Sequence, residues 1–204
     1  MANNNLEIES KFYVTNLLEI EQLLKKIGAV CMVRRRFEFN LRFDDQKNNF
    51  RKQHKVLRLR SYDDNRLTFK DAGNVIGNTL SRTEIEIVVN DFENAKLFLK
   101  SLGFHIASTY EKYRAMYRYN SAIIALDELP YGNFVEIEGQ DEIQISEVAR
   151  LLGLNPEAAV TNSYQGLFEK IKTEMRLPFE HLTFQNFEKI IITHTNLGVA
   201  IANQ

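Results

Sequence analysis

The chain has 204 residues, of which 44% are hydrophobic and 26% charged, and its formal net charge is -1. These values are typical of one globular domain, alone or with an appendage, and they argue against a generally basic nucleic-acid-binding protein. Cys31 is the only cysteine, which excludes an intramolecular disulfide framework, and its apolar neighbours predict a buried structural thiol. No apolar run reaches the length of a membrane span, and residues 1–5 lack the features of a signal peptide, so we expect a cytoplasmic protein without a membrane partner.

Alternating polar and apolar residues predict eight β-strands joined mostly by short turns, which favours an antiparallel sheet. The predicted strands lie near residues 6–14, 32–43, 55–62, 65–70, 82–90, 109–119, 122–128 and 133–139. One amphipathic helix is predicted from a cap at Thr15 or Asn16 to Gly28, and another from a cap at Asp91 to Gly103.

The chain beyond residue 140 is predicted to be helical, at residues 145–152 and at residues 161–175, with Thr161 or Asn162 as the cap of the second helix. We expect residues 1–175 to form the main domain and residues 176–204 a helical appendage. The appendage is moderately amphipathic, so it is expected to pack on the domain or on a partner chain, which would make the protein a homodimer.

The two helices belong to two similar blocks, each of which reads strand, helix, strand, strand, strand. Glu7 and Glu9 in the first block correspond to Glu84 and Glu86 in the second, at an offset of roughly 75 to 78 residues throughout. Two such units give eight strands, enough to close a barrel that is lined by alternate side chains. The predicted fold class is therefore α+β, with a closed antiparallel eight-stranded β-barrel and helices packed outside.

The polar strand faces carry paired Arg or Lys and paired Glu, with few neutral polar residues. If helices cover the apolar faces from outside, these charges point inward, where a dry cluster would be very costly. A hydrated tunnel that holds a polyanion and cations resolves this conflict, because Arg and Lys bind phosphate oxygens and carboxylates bind Mg²⁺ or Mn²⁺. Each pair taken alone is also compatible with an ordinary solvated strand face.

Taken in order, these motifs resemble the CYTH superfamily, also called triphosphate tunnel metalloenzymes. The family's ExExK motif matches Glu7-Ile8-Glu9-Ser10-Lys11, and its central basic strand matches Leu57-Arg58-Leu59-Arg60. The remaining matches are Leu67-Thr68-Phe69-Lys70, Arg82-Thr83-Glu84-Ile85-Glu86, Glu111-Lys112-Tyr113-Arg114, Leu126-Asp127-Glu128, Phe134-Val135-Glu136-Ile137-Glu138-Gly139 and Ser163-Tyr164. The resemblance covers roughly residues 6 to 170.

The resemblance implies a role for each matched residue. The residues implied to bind the triphosphate are Arg58, Arg60, Lys70, Lys112 and Arg114. Those implied to bind the divalent metal are Glu7, Glu9, Glu84, Asp127, Glu136 and Glu138. Lys11 and Glu9 are implied as the catalytic residues, with Lys11 positioning or activating the attacking group. Thr161 and Asn162 stand where many members carry a lysine, which leaves the organic part of the substrate open.

Three functions fit these residues. The first is a metal-dependent triphosphatase that acts on inorganic triphosphate, thiamine triphosphate or a nucleoside triphosphate by positioning and charge neutralisation. The second is an adenylyl cyclase that uses the same tunnel to convert ATP to cyclic AMP and pyrophosphate. The third is a module that binds polyphosphate or a nucleotide without turnover.

Overall fold

The structure, a computed structural model, describes residues 6–77 and 79–204. The prediction that residues 1–5 form no signal peptide therefore lies outside the described residues. The strands are β1 (Leu6–Val14), β2 (Val30–Asp44), β3 (Val56–Ser61), β4 (Asn65–Lys70), β5 (Asn74–Ile76), β6 (Thr79–Val88), β7 (His105–Tyr119), β8 (Ala122–Leu129) and β9 (Gly132–Glu138). The helices are α1 (Leu17–Lys26), α2 (Asn49–Lys52), α3 (Phe92–Ser101), α4 (Glu142–Leu151), α5 (Tyr164–Met175), α6 (Phe184–Phe187) and α7 (His194–Leu197).

The strands form one antiparallel sheet that closes on itself. Its order is β1-β9-β8-β7-β2-β3-β4-β6, and β1 pairs with β6 to complete the barrel. The sequence did not predict the short β5, which pairs with Thr79–Ser81 of β6. It lies on the same side of β6 as β4, which pairs with residues 84–88. The predicted closed antiparallel barrel is thus confirmed, with β5 as an extra segment beside β4.

Side chains alternate between the barrel interior and its outer wall, and helices cover much of that wall. Ile20 and Leu24 of α1 join a buried cluster with outward residues of β1, β7, β8 and β9, and Leu99 of α3 joins another with β2 and β3. Asn16 and Asp91 cap these two helices as predicted, and Gly28 and Gly103 follow them with φ of 79° and 91°, a conformation that favours glycine. The charged strand faces therefore point inward.

The C-terminal third wraps the same barrel. The cap of α5 is Ser163, whose side chain accepts a hydrogen bond from the Gly166 amide, so the predicted caps at Thr161 and Asn162 were wrong by one or two residues. Beyond α5, Leu182 and Leu197 are buried in an aromatic-rich cluster with α5 and with inward-facing strand residues such as Tyr110 and Phe134. The tail thus packs on its own domain. No helix in the described ranges is both long and apolar enough to cross a membrane.

The prediction of a buried Cys31 was wrong, because this thiol is exposed. β2 pairs with β3 only from Phe39 onward, so its first half is bonded on one side alone, to β7. Register shifts on both sides of Val33 also interrupt that pairing. Because bulges bend a strand away from the sheet, this part of β2 leaves the packed wall and exposes its apolar residues.

Candidate active site

The barrel interior contains a cavity of about 690 Å³. Basic and acidic side chains line it in nearly equal numbers. The basic ones are Lys11, Arg42, Arg58, Arg60, Arg66, Lys70, Arg82, Lys112 and Arg114, and the acidic ones are Glu7, Glu9, Asp63, Asp64, Glu84, Glu86, Glu136 and Glu138. Such a lining is unsuited to an apolar ligand and matches a highly charged one.

Four carboxylates from β1, β6 and β9 form an acidic cluster, which we define as Glu7, Glu9, Glu84 and Glu138. Lys70 Nζ lies 2.8 Å from carboxylate oxygens of both Glu7 and Glu84, and an Arg82 nitrogen lies 2.9 Å from Glu9. The pKa of Glu138 is raised to about 7, first by burial and then by the charges of the other three members. The cluster therefore keeps an excess of negative charge despite its two cations.

A second group, the central cluster, consists of Lys11, Lys112, Arg114, Asp127 and Glu136. Lys11 Nζ lies 2.9 Å from Glu136, while Arg114 bonds both Glu136 and Asp127. Burial alone would lower the pKa of Lys11, but the carboxylates of Glu136 and Glu9 outweigh it and raise this pKa above its usual value. Lys11 consequently remains a cation and is not a proton acceptor.

Asp127 lies beneath the cavity surface, and its side chain is fully buried. It accepts hydrogen bonds from Lys112 Nζ at 3.0 Å, Arg114 Nε at 2.6 Å and the Tyr164 hydroxyl at 2.7 Å. The Tyr164 ring lies under Lys11, whose Nζ is 4.4 Å from the ring centroid. The first turn of α5 thus lines the cavity and supports its floor.

A basic wall is formed by Arg58 and Arg60 of β3. Guanidinium nitrogens of both lie 3.6 to 3.8 Å from Glu86, and Arg58 also reaches the Tyr110 hydroxyl at 3.3 Å. The Nε atoms of Arg58 and Arg60 are buried and have no hydrogen-bond partner. Buried donors are almost always satisfied, so these two leave binding capacity for a ligand with oxygen acceptors.

Glu38 and Asn40 of β2 lie deeper still and are fully buried. Glu38 Oε1 accepts a hydrogen bond from Asn40 and lies 3.5 Å from Lys112 Nζ, while its Oε2 has no partner. Burial would raise the pKa of Glu38, but Lys112 and three arginines outweigh it and hold the pKa at about 2. The negative charge of Glu38 therefore offsets part of the positive charge of the basic residues around it.

The donor set of the acidic cluster fits a hard divalent cation. Carboxylate oxygens are the ligands that Mg²⁺ and Mn²⁺ prefer, and the four carboxylates of the cluster outnumber the two cations, Lys70 and Arg82, that contact it. Within the described residues, no three acidic or histidine side chains converge as they stand on a metal position. Lys70 and Arg82 form ion pairs with these carboxylates, so metal binding requires those two side chains to turn away.

The structure brings together nearly all the residues that the sequence predicted for the site. Those that line the cavity are Lys11, Arg58, Arg60, Lys70, Lys112, Arg114, Glu7, Glu9, Glu84, Glu136 and Glu138. Asp127 does not line it, because it is fully buried and bonded to three side chains. Sequence reasoning gave no site role to Arg42, Arg82 or Glu86, although all three stood on predicted polar strand faces.

Comparison with known proteins agrees with this geometry. The model of the CYTH domain family matches residues 5–164. A protein of Methanocaldococcus jannaschii that is named as a candidate adenylate cyclase is 23% identical over 169 residues, which cover 78% of this chain and 96% of the relative.

Two solved structures show the same fold. A candidate adenylate cyclase from Vibrio parahaemolyticus superposes with a TM-score of 0.72 at 19% identity, covering 81% of this chain and 98% of the other. A candidate adenylyl cyclase from Hippeastrum, described as having a dominant triphosphatase activity, gives a TM-score of 0.62 at 16% identity over 80% and 95% of the two chains. With a family match across most of its length, the chain belongs to the CYTH domain family.

Proposed function

We propose that the protein is a divalent-metal-dependent hydrolase of a triphosphate bound inside the barrel. The observation that carries this proposal is the convergence of basic side chains from six strands on one cavity beside the four carboxylates of the acidic cluster. A triphosphate would accept hydrogen bonds from Arg58 and Arg60, whose Nε donors have no other partner. We assign Lys70, Lys112 and Arg114 to the same polyanion.

Binding would exchange ion pairs within the cavity. Lys70 and Arg82 now contact the acidic cluster, and an arriving triphosphate offers them oxygen atoms of higher negative charge. The carboxylates that they release become available to a divalent cation. This exchange explains why a cavity for a polyanion also carries carboxylates, which would repel the polyanion if no cation were present.

Glu7, Glu9, Glu84, Glu136 and Glu138 would hold the metal, for which Mg²⁺ or Mn²⁺ is the expected ion. When bound, such an ion neutralises phosphate charge and lowers the pKa of a coordinated water. Asp127 is fully buried, so we assign it the role of holding Lys112 and Arg114 in place rather than that of a ligand.

Lys11 and Glu9 are the proposed catalytic residues. The ammonium of Lys11 lies against Glu136 and within the electrostatic influence of Glu9. Because its raised pKa keeps it charged, Lys11 would stabilise charge that develops on the transferred phosphoryl group. Glu9 would orient the attacking water from the acidic cluster.

A cyclase is the second candidate, because the Methanocaldococcus and Vibrio relatives carry that name. The same residues would then bind ATP, and the ribose 3′-hydroxyl would attack the α-phosphorus. The description of the Hippeastrum protein favours hydrolysis as the main reaction on this fold.

The test is a product assay with inorganic triphosphate, thiamine triphosphate and ATP, each with Mg²⁺ or Mn²⁺. We expect metal-dependent phosphate release that chelation abolishes and that Glu9→Gln reduces at least tenfold, while Glu93→Gln on the exposed surface of α3 changes nothing. Mass detection of cyclic AMP and pyrophosphate as the main products would instead establish the cyclase. Tight binding of all three compounds without any product would overturn both reactions in favour of a binding module.

A further inference from the structure

The two structural units of the barrel are not covered equally. In the second unit, α4 follows β9 and packs on the outer faces of β1, β8 and β9, where Ile145 and Val148 are buried. The equivalent place in the first unit follows β4. There the described chain continues into β5 and contains no helix before β6. The helix that would complete the pseudo-symmetry is missing.

The β-strand beneath this place is left exposed. Ile85 and Ile87 of β6 correspond to Ile8 and Ser10 of β1 in the repeat. Ile8 packs against the buried cluster under α4, and Ser10 is 5% exposed. Ile85 and Ile87 are 48% and 54% exposed. Two isoleucines thus occupy a surface whose counterpart is covered.

The neighbouring helix shows the same difference. Leu23 and Ile27 of α1 pack against the buried cluster, and a methyl group of Leu23 lies beside Gly153, just after α4. Their counterparts are Phe98 on α3 and Leu102 directly after it, which are 63% and 60% exposed. Among residues 6–77 and 79–204, the flank of α3 that corresponds to the covered flank of α1 therefore meets no helix.

These side chains and Leu6 at the start of β1, which is 50% exposed, form what we call the open wall: Leu6, Ile85, Ile87, Phe98 and Leu102. From these exposures its apolar area is roughly 500 Å², within the range of the largest patches on monomers, which are often functional. A standard interface buries about 800 Å² per partner, of which roughly 60% is apolar. The open wall therefore supplies about the apolar area that one side of a stable dimer needs.

We propose that the open wall is the interface of a two-fold symmetric homodimer. A two-fold interface requires a self-complementary surface. Because Leu23, Ile27 and Ile8 all pack against one buried cluster in the first unit, the repeat places Phe98 and Leu102 on the same wall as Ile85 and Ile87, so the open wall combines a helix ridge with a strand floor. The ridge of each protomer covers the floor of the other and replaces the missing helix. The C-terminal tail, which packs on its own chain, takes no part.

Light scattering coupled to size-exclusion chromatography tests this proposal on the full chain. We expect the wild type to have twice the chain mass at micromolar concentration. Leu102→Glu should raise the dimer dissociation constant at least tenfold, because it places a charge in a desolvated apolar contact. Leu97→Glu is the matched control, since Leu97 is 56% exposed on the same helix and points about 100° away from Phe98 around the helix axis. Circular dichroism and thermal unfolding should show that both variants fold.

A wild-type chain that remains monomeric up to 100 µM, a concentration roughly a hundred times a micromolar dissociation constant, would overturn the proposal. The open wall would then be assigned to an amphipathic helix of another protein. A dimer that Leu102→Glu and Leu97→Glu affect equally would also overturn it, because the interface would then lie elsewhere. Ile87→Lys should also weaken the dimer, and it places the charge on β6 instead of α3.

Discussion

Asp127→Asn tests whether the buried carboxylate anchors the cavity floor. Asparagine has the same size but no charge, and it leaves Lys112 and Arg114 buried beside a neutral amide. Its NH₂ group cannot accept the hydrogen bonds that one carboxylate oxygen now receives from Lys112 and Tyr164. Breaking one partner of a buried ion pair costs about 3–5 kcal/mol.

Urea unfolding followed by circular dichroism measures this loss. With an m-value of about 2.5 kcal/mol/M, the expected loss lowers the midpoint by about 1.5 M. Asp63→Asn is the matched control, because Asp63 also pairs with an arginine, Arg36, but both side chains are more than half exposed. That variant should lose no more than about 0.5 kcal/mol. If Asp127→Asn loses as little as Asp63→Asn, the anchoring role is refuted.

Three further predictions concern the cavity. Arg58→Ala should raise the KM for triphosphate at least tenfold, because losing a charged hydrogen bond costs about 1.5 kcal/mol or more. Arg51→Ala, outside the cavity, should leave the KM unchanged. Equal KM values for the two variants would contradict the assignment of Arg58 to phosphate binding. Glu138→Gln should raise the metal concentration for half-maximal activity at least tenfold without lowering the urea midpoint, and an unchanged metal requirement would exclude Glu138 as a ligand. Because Glu38 has a lowered pKa of about 2, its contribution to stability is complete above its unfolded value of 4.5 and is lost as pH falls from there toward 2. Urea midpoints should therefore fall more steeply over this interval in the wild type than in Glu38→Gln, and parallel curves would show that Glu38 makes no such contribution.

The barrel and most cavity residues were predictable because strand alternation is a local property. Once Glu7 is assigned to the interior, Glu9 and Lys11 follow from the period of two. The same rule places Arg60 on the strand face that holds Arg58, and Glu138 on the face that holds Glu136. The repeat then predicted closure, since two similar units must meet at both ends.

Features that depend on register between distant strands were not predictable in this way. Arg82 faces Glu7 only because β6 closes against β1, and no local pattern specifies that alignment. Asp127 points inward as alternation requires, but its burial depends on Tyr164, which arrives from a helix on another part of the chain. The exposure of Cys31 follows from bulges in β2, for which the local sequence carries no glycine or other marker.

The bonds between the two ends of the chain have a consequence for how it folds during synthesis. The amide of Ala202 donates to the Tyr13 carbonyl, and the Asn203 side chain accepts a hydrogen bond from the Thr15 amide. The end of β1 and the residue after it therefore gain hydrogen-bond partners that lie 188 or more residues later in the sequence. Because contacts so distant in sequence form slowly, this end of β1 is expected to complete its hydrogen bonds only after residues 202–203 have been translated.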